Sequence, residues 1–194
     1  MKKLKGSRTA ENLLKAFAGE SQARMRYTFY AKTAGKEGFK QIEEIFLETA
    51  ENERMHAKLF YKHLVAEMNG EPLGIQASYP VALDTTVRNL EFAANGENEE
   101  WSSLYPEFAR VAEEEGLPQV ARTFRGIALV EKRHETRYRK LLDNVKNKTV
   151  FKKQGTVAWK CRVCGMIIES DTAPEKCPVC EHPRENFEVW AENY

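Results

Sequence analysis

The sequence IALVEKRHETRYRKL, residues 127–141, places Glu131 and His134 three residues apart. On an α-helix, residues with this spacing lie on one face. Ile127, Tyr138 and Leu141 fall on the same face, so an acid and an imidazole interrupt an apolar stripe. Burial of an unpaired carboxylate costs several kcal/mol, and we therefore expect a compensating group inside the fold.

The same pattern recurs upstream of this stretch. Glu53 and His56 have the same spacing, Glu97 and Glu100 place two acids at it, and Glu20 supplies a single acid. Apolar residues recur every three or four positions around each of these residues, which predicts four amphipathic helices. One acid alone would more often be an exposed charge, but acids on four apolar stripes argue against that interpretation.

Glycine and proline separate the predicted helices. Gly35 and Gly38 follow the first helix, Gly70 and Pro72 follow the second, and Gly116 ends the third. The predicted helices span about residues 9–34, 39–69, 85–116 and 118–148.

A long connection, residues 71–83, joins the first helical pair to the second and suits a crossover between two hairpins. Asp84 is expected to cap the third helix. Pro106 is expected to kink the same helix, because proline lacks a backbone donor.

The two helical pairs repeat one another. Glu20 precedes Glu53 by 33 residues, and Glu97 precedes Glu131 by 34 residues. Ligands near the middle of four long helices meet at one depth, so we predict a four-helix bundle with a central two-metal site. Many carboxylates with two imidazoles suit iron or manganese better than copper or a thiolate-seeking ion.

Four cysteines form two Cys-x-x-Cys pairs near the end of the chain: Cys161, Cys164, Cys177 and Cys180. Two such pairs predict a tetrahedral four-thiolate site, which fits structural zinc or a single iron. Residues 149–194 form a segment of fewer than about 50 residues. A segment this short usually needs a metal to fold. Beside a site that suits a redox metal pair, a one-electron iron centre is the more useful alternative.

Other polar residues of the helices have simpler interpretations. Tyr27 and Tyr105 are expected to lie in the core and to hydrogen-bond ligand carboxylates, because a buried phenol needs a polar partner. His63 has no acid beside it, so we expect a hydrogen-bonded or partly exposed histidine. Glu51 and Glu99 lie off the apolar stripes and are interpreted as solvated.

Composition limits the partners. The 194-residue chain carries 30 lysines and arginines against 29 acidic residues. No strong field attracts nucleic acid or an anionic membrane, so the expected partners are small molecules or proteins. The sequence contains no run of about 18 apolar residues, which predicts a soluble cytoplasmic protein without a membrane span.

Together these motifs resemble the rubrerythrin family, bacterial and archaeal proteins with a ferritin-like di-iron bundle and a rubredoxin-like iron domain. The resemblance covers essentially the whole chain and implies a mainly α fold. Residues 1–148 would form the ferritin-like four-helix bundle, and residues 149–194 the small β-rich rubredoxin-like domain. Glu100 is the residue most specific to this family, since the first helix has Ala23 at the corresponding position. Glu181 departs from free rubredoxins, which commonly have glycine there.

The resemblance implies three iron ions per chain, two in the bundle and one at the four cysteines. In the bundle, it implies bridging roles for Glu53 and Glu131, terminal roles for Glu20 and Glu97, and coordination of the second iron by His134.

The implied activity is a peroxidase that reduces hydrogen peroxide to water in oxidative stress defence. Peroxide would take one electron from each ferrous ion, and the four-cysteine iron would re-reduce the pair. The first iron would exchange Glu100 for His56 on reduction, because ferric iron favours an anionic oxygen whereas ferrous iron tolerates neutral imidazole.

The resemblance further implies an antiparallel homodimer that receives electrons from a separate rubredoxin or an NAD(P)H-dependent reductase. Two other hypotheses remain at this point. One is a ferritin-like ferroxidase that detoxifies or stores iron, and the other is a non-enzymatic zinc-ribbon adaptor fused to a bundle.

Overall fold

The computed structural model describes residues 4–193. Its first two helices, α1 (Arg8–Lys36) and α2 (Lys40–Met68), pack against each other as a hairpin. The Ser7 hydroxyl accepts a hydrogen bond from the Ala10 N–H and caps α1. Gly38 has a φ of 81°, a left-handed conformation that suits glycine and permits the tight turn into α2.

The third helix of the bundle is interrupted. It consists of α3 (Thr86–Glu99), a π-helical turn (Glu100–Leu104) and α4 (Tyr105–Glu114). The Tyr105 N–H donates to the Glu100 carbonyl oxygen, which lies five residues earlier. Pro106 favours this wider turn, because its ring clashes with the preceding turn and it provides no donor. The irregularity expected at Pro106 is therefore a π-bulge that begins at Glu100.

The cap of α3 differs from the sequence-based expectation. Thr85, not Asp84, is the capping residue, and its hydroxyl accepts a hydrogen bond from the Arg88 N–H. The Asp84 carboxylate instead accepts a hydrogen bond from the Thr85 N–H at 2.6 Å. Asp84 therefore stabilises the turn before the cap.

The fourth long helix, α5 (Pro118–Lys146), packs against α3 and α4 and completes the bundle. The core forms two apolar clusters, one around Leu13, Phe60 and Phe124, the other around Tyr30, Phe46 and Leu90. Along each helix the predicted ligands fall between the residues of these clusters. The ligand level is thus enclosed by apolar layers on both sides.

The C-terminal segment folds as a small antiparallel sheet of three strands, in which the first strand in sequence lies between the other two. The strands are β1 (Lys152–Cys161), β2 (Ile167–Thr172) and β3 (Phe187–Val189), with a short 3₁₀ helix (Arg184–Asn186) before β3. Its fully buried core is small: Trp159, Cys161, Ala173, Cys177 and Phe187. A core of this size agrees with the expectation that a metal stabilises the segment.

Contacts between side chains join this segment to the end of the bundle. The rings of Phe39 and Phe151 stack with centroids 6.4 Å apart, and Arg162 Nη2 lies 3.0 Å from a Glu44 carboxylate oxygen. The predicted fold class, a mainly α bundle followed by a small β-rich segment, is confirmed. None of the helices in residues 4–193 is long and apolar enough to cross a membrane.

Candidate metal centres

Six of the seven predicted bundle ligands are buried. Their exposed fractions are 0% for Glu20, 1% for Glu53, 7% for His56, 1% for Glu97, 0% for Glu131 and 4% for His134. All four long helices contribute at least one of them. The apolar clusters fix the helices in a register that brings these side chains to one level.

The buried ligands form two groups of four. One ligand atom from each residue of a group lies within 4.8 Å of the others; the groups are Glu20, Glu53, His56, Glu131 and Glu53, Glu97, Glu131, His134. Because Glu53 and Glu131 belong to both groups, two bound ions would share these carboxylates as bridges. The geometry therefore fits a two-metal site.

Both histidines direct Nδ1 toward the shared carboxylates. His56 Nδ1 lies 2.8 Å from oxygens of both Glu53 and Glu131. His134 Nδ1 lies 2.7 Å from a Glu131 oxygen and 3.2 Å from a Glu53 oxygen. Although burial disfavours the charged imidazole, the neighbouring Glu131 and Glu53 raise the pKa of His56 to about 11.

The acids of the cluster repel one another. Burial and the charge of Glu53 raise the pKa of Glu97 to about 8. Burial, together with the charges of Glu100 and Glu131, raises the pKa of Glu20 well above its ordinary value. Such a concentration of buried negative charge favours the binding of cations.

The hydrogen bonding of Glu53 and Glu131, the acids shared by both groups, supports a metal site. Within residues 4–193, the carboxylate oxygens of Glu53 and Glu131 have no hydrogen-bonding partner apart from Nδ1 of His56 and His134, which are themselves candidate ligands. Glu135, also buried, instead accepts hydrogen bonds from Trp101, Asn98 and Arg139. The protein thus satisfies a structural acid with donors and leaves the shared acids for positive ions. Oxygen-rich ligation with two imidazoles suits iron.

Two tyrosines contact Glu97 and Glu20, the acids that belong to one group each, as the sequence suggested. The Tyr27 hydroxyl donates to Glu97 Oε1 at 2.6 Å, and the Tyr105 hydroxyl donates to Glu20 Oε1 at 2.5 Å. These hydrogen bonds orient each carboxylate toward the centre of the cluster.

Sequence reasoning did not identify Asn52. The ring atom Nε2 of His134 lies 3.2 Å from Asn52 Oδ1, on the side of the ring opposite the cluster. An acceptor at Nε2 fixes the tautomer in which Nδ1 is free to bind a metal. No sequence signal distinguishes Asn52 from an exposed helical asparagine, because the contact spans two helices.

Glu100 occupies a different position from the other predicted ligands. It belongs to neither group of four, and it is partly exposed at the first residue of the π-helical turn. Glu100 lines a cavity together with Tyr105, whose hydroxyl donates to Glu20, so Glu100 lies close to the first group. His56, not Glu100, completes that group in this structure.

The simpler interpretations also agree with the structure. His63 is half-buried and its Nε2 lies 2.9 Å from Thr123 Oγ1, while Glu51 and Glu99 are exposed.

The four cysteines converge in the C-terminal segment. Cys161 Sγ lies 3.7 Å from Cys180 Sγ, and Cys164 Sγ lies 3.5 Å from Cys177 Sγ. These distances exceed a disulfide bond of about 2.05 Å and match the edges of a tetrahedron with metal–sulfur bonds of about 2.3 Å. Backbone N–H groups of Cys180 and Val179 lower the pKa of Cys177 to about 6, which favours the metal-binding thiolate.

The two cysteine loops have matching backbones. The Gly165 N–H donates to the Cys161 carbonyl oxygen, and the Glu181 N–H donates to the Cys177 carbonyl oxygen, both at 2.9 Å. Gly165 has a φ of 80° and Glu181 a φ of 58°. Glu181 therefore adopts the left-handed conformation that glycine has in the other loop.

The bundle with shared carboxylates and the tetrathiolate segment define a class of protein: a ferritin-like di-iron protein with a rubredoxin-like centre. The donor sets fit two iron ions in the bundle and one at the cysteines.

Comparisons with known proteins identify the family. Residues 11–142 match the family model described as Rubrerythrin, and residues 159–188 match that of the rubrerythrin rubredoxin-like domain. Rubrerythrin-1 of Clostridium acetobutylicum is 59% identical over 100% of both chains. Rubrerythrin of Nitratidesulfovibrio vulgaris is 46% identical over 100% of both chains. A solved structure of fully reduced, all-ferrous nigerythrin is 32% identical, with a TM-score of 0.64 over 96% of this chain and 91% of that chain. The chain belongs to the rubrerythrin family, whose members are oxidoreductases.

Proposed function

We propose that this protein is a peroxidase that reduces hydrogen peroxide to water at the bundle site. The observation that carries the proposal is the combination of two ligand groups that share Glu53 and Glu131 with a tetrathiolate centre in one chain. A non-redox bundle would have no use for an electron-transfer centre. The simplest alternative, a ferroxidase, gives the tetrathiolate centre no role.

The chemistry requires two electrons and two protons for each hydrogen peroxide, which yields two water molecules, and two ferrous ions supply one electron each. The protein residues position this reaction. Tyr27 and Tyr105 orient the terminal acids, while the apolar layers around the cluster exclude bulk water. Glu100 is partly exposed and lines a cavity beside the site, so we place the contact of the site with solvent there.

We further propose that Glu100 and His56 alternate as ligands of the first metal. Support comes from their positions, since His56 completes the first group while Glu100 lies beside it at a π-helical turn. π-Bulges often occur at functional sites, where they provide a backbone that differs from its flanking helix. A Glu100→Ala variant should lose about tenfold or more of its peroxide turnover. A Glu107→Ala variant, which alters an exposed acid of α4, should retain it.

Electrons would come from a rubredoxin or an NAD(P)H-dependent reductase, in a reducing cytoplasm that keeps the four cysteines as thiolates.

We also propose a homodimer. Large hydrophobic side chains with 37–49% exposure lie on the outside of the first two helices. We name them the α1–α2 apolar surface: Met25, Phe29, Leu47, Met55, Leu59, Tyr61 and Val65. A surface of this kind favours association.

The direct test is anaerobic. The iron-loaded protein is fully reduced, then mixed with stoichiometric hydrogen peroxide or oxygen while the ferric tetrathiolate and ferric bundle absorption are followed. Fast reoxidation of both centres by peroxide, with slower reoxidation by oxygen, is the expected result. Faster reoxidation by oxygen with a silent tetrathiolate would contradict the peroxidase and favour the ferroxidase.

A further inference from the structure

A cavity of about 250 Å³ lies beside the first metal group, between α1, the interrupted third helix and the crossover segment. Glu100 lines it, as do Gly19, Gly96 and Tyr79. The other six predicted bundle ligands are buried, and the cavity residues do not include them. The cavity therefore reaches the site at Glu100.

Two glycines shape the helical walls of this cavity. Gly19 directly precedes Glu20, and Gly96 directly precedes Glu97. A Cβ atom at Gly96 would meet no heavy atom within 4 Å, and at Gly19 it would meet only Tyr79 Cε1 at 3.7 Å. Glycine lowers helix stability relative to alanine, and no close packing requires it at Gly96. Its effect on the structure is to leave space next to a ligand.

Tyr79 lies on the outer side of the cavity. Its hydroxyl donates a hydrogen bond to the Lys15 carbonyl oxygen at 2.8 Å, which ties the crossover segment to α1. The tyrosine is 37% exposed, so one part of it faces solvent while another lines the cavity. Pro80 follows directly and restricts the backbone of this segment. Tyr79 is thus held in place at the boundary between cavity and solvent.

The polar part of the lining suits a small hydrogen-bonding molecule. Gln22 and Arg26 line the cavity, and their side chains are joined by a hydrogen bond of 2.6 Å from Arg26 Nε to Gln22 Oε1. Gln22 Nε2 donates to the Gly19 carbonyl oxygen, and Arg26 Nη1 donates to the Tyr30 hydroxyl. The second amide N–H of Gln22 and the N–H groups of Arg26 Nη2 can donate to a peroxide oxygen.

We infer that this cavity is the access route for hydrogen peroxide, and that Tyr79, Gly19 and Gly96 restrict it to small oxidants. The inference rests on the proposed peroxidase function for the identity of the substrate. The route itself does not depend on that function, because any small ligand of the first metal would use it.

The first experiment uses a variant in which an added side chain narrows the cavity. A Gly96→Leu variant adds a side chain where the cavity is open, and Gly126→Leu makes the same change at an exposed helical glycine of α5, also without contacts within 4 Å. Stopped-flow binding of azide to the iron-loaded ferric protein measures access without turnover. We expect about tenfold slower azide binding and peroxide turnover in Gly96→Leu, with Gly126→Leu within about twofold of the parent protein.

Equal azide binding rates in Gly96→Leu and Gly126→Leu would overturn the access route. If azide binding slows as expected but the parent protein reduces peroxide no faster than oxygen, the route stands and the proposed peroxidase function fails. The two failures are therefore distinguishable.

The second experiment uses a variant in which loss of a side chain widens the entrance of the cavity. Tyr79→Ala removes the ring at the boundary, whereas Tyr79→Phe keeps it and loses only the hydroxyl. The readout is the ratio of kcat/KM for cumene hydroperoxide to that for hydrogen peroxide. We expect a rise of about tenfold in Tyr79→Ala and a change within about twofold in Tyr79→Phe. An unchanged ratio in Tyr79→Ala would overturn the role of Tyr79 as a size filter.

Discussion

The imidazole of His134 is held at both of its nitrogens. Nδ1 faces Glu131 and Glu53 inside the cluster, and Nε2 contacts Asn52 outside it. Loss of such an outer partner typically weakens metal binding by about 10–100-fold. We therefore expect Asn52→Ala to weaken ferrous binding in the bundle by about this factor, measured anaerobically by competition with a chromophoric chelator.

Asn52→Asp provides the matched control, because an aspartate also accepts a hydrogen bond from Nε2–H. It should bind iron within about threefold of the parent protein. The tetrathiolate absorption should be the same in all three proteins, since the four-cysteine group consists of Cys161, Cys164, Cys177 and Cys180 and does not include Asn52. Equal iron affinity in Asn52→Ala would show that the apolar layers alone fix the His134 ring.

Metal binding in the bundle competes with protons. The carboxylates raise the pKa of His56 to about 11 and that of His134 to about 12, even though burial opposes the charged form. Both rings are therefore protonated at pH 7 before a metal binds, and Glu97, with a pKa of about 8, is largely protonated. Since burial and neighbouring acids also raise the pKa of Glu20, loading of two ferrous ions should release at least two protons at pH 7.

The sign of the pH dependence follows from this release. Because protons are products of binding, apparent iron affinity should rise as pH increases and fall as pH decreases across the range below about pH 8. Anaerobic titration in weak buffer with a pH-stat counts the protons. A second addition of iron to fully loaded protein should release none. Release of no protons in the first addition would contradict the protonated state assigned to the histidines.

At the scale of elements, the two cysteine loops share one backbone conformation but have different residues at its left-handed position. Gly165 occupies the left-handed position of the first loop and Glu181 that of the second. A residue with a Cβ atom is destabilised there by roughly 1–2 kcal/mol relative to glycine. Glu181→Gly should stabilise the C-terminal segment by about 1 kcal/mol, measured as denaturant-dependent loss of the ferric tetrathiolate absorption.

Glu169→Gly is the control for the lost charge. Glu169 is exposed on β2, where glycine is disfavoured, so this variant should be less stable than the parent protein. Stabilisation by both substitutions would indicate that charge, not backbone conformation, limits the stability of this segment.

The helices could be predicted from the sequence because amphipathic periodicity and glycine punctuation are local signals. The π-helical turn could not, since Pro106 indicates an irregularity but not whether the backbone kinks or widens. The capping residue was also assigned incorrectly. Asp84 and Thr85 are both good N-caps, and only the observed backbone shows that Thr85 bonds into the helix while Asp84 bonds to Thr85.

At the scale of the whole molecule, sequence spacing predicted which acids and histidines share a helical face. Spacing alone did not predict that Glu53 and Glu131 would lie in both ligand groups. That expectation came from the family resemblance. That property depends on the relative depth of two helices that are distant in sequence. The cavity at Glu100 has the same origin, because its walls come from α1, the third helix and the crossover segment. The division of the chain near residue 148 stays a prediction.

The α1–α2 apolar surface is the expected interface of the proposed homodimer. If this surface forms a dimer interface, Phe29→Asp and Leu59→Asp would each bury an unpaired charge and weaken the dimer by about 3 kcal/mol or more. Sedimentation at micromolar concentration should then detect monomers. Leu129→Asp, at a residue of α5 that is 70% exposed, should leave the dimer intact.

A parent protein that sediments as a monomer, or dimers that persist in both variants, would contradict this interface.

The monomeric variants also test the path of electrons. If the tetrathiolate centre serves the bundle of a second subunit, peroxide should still oxidise the bundle iron of a monomer, while the tetrathiolate responds much more slowly. If both centres respond as fast as in the dimer, electron transfer occurs within one chain, and the contacts of Arg162 with Glu44 and of Phe151 with Phe39 become the relevant connection.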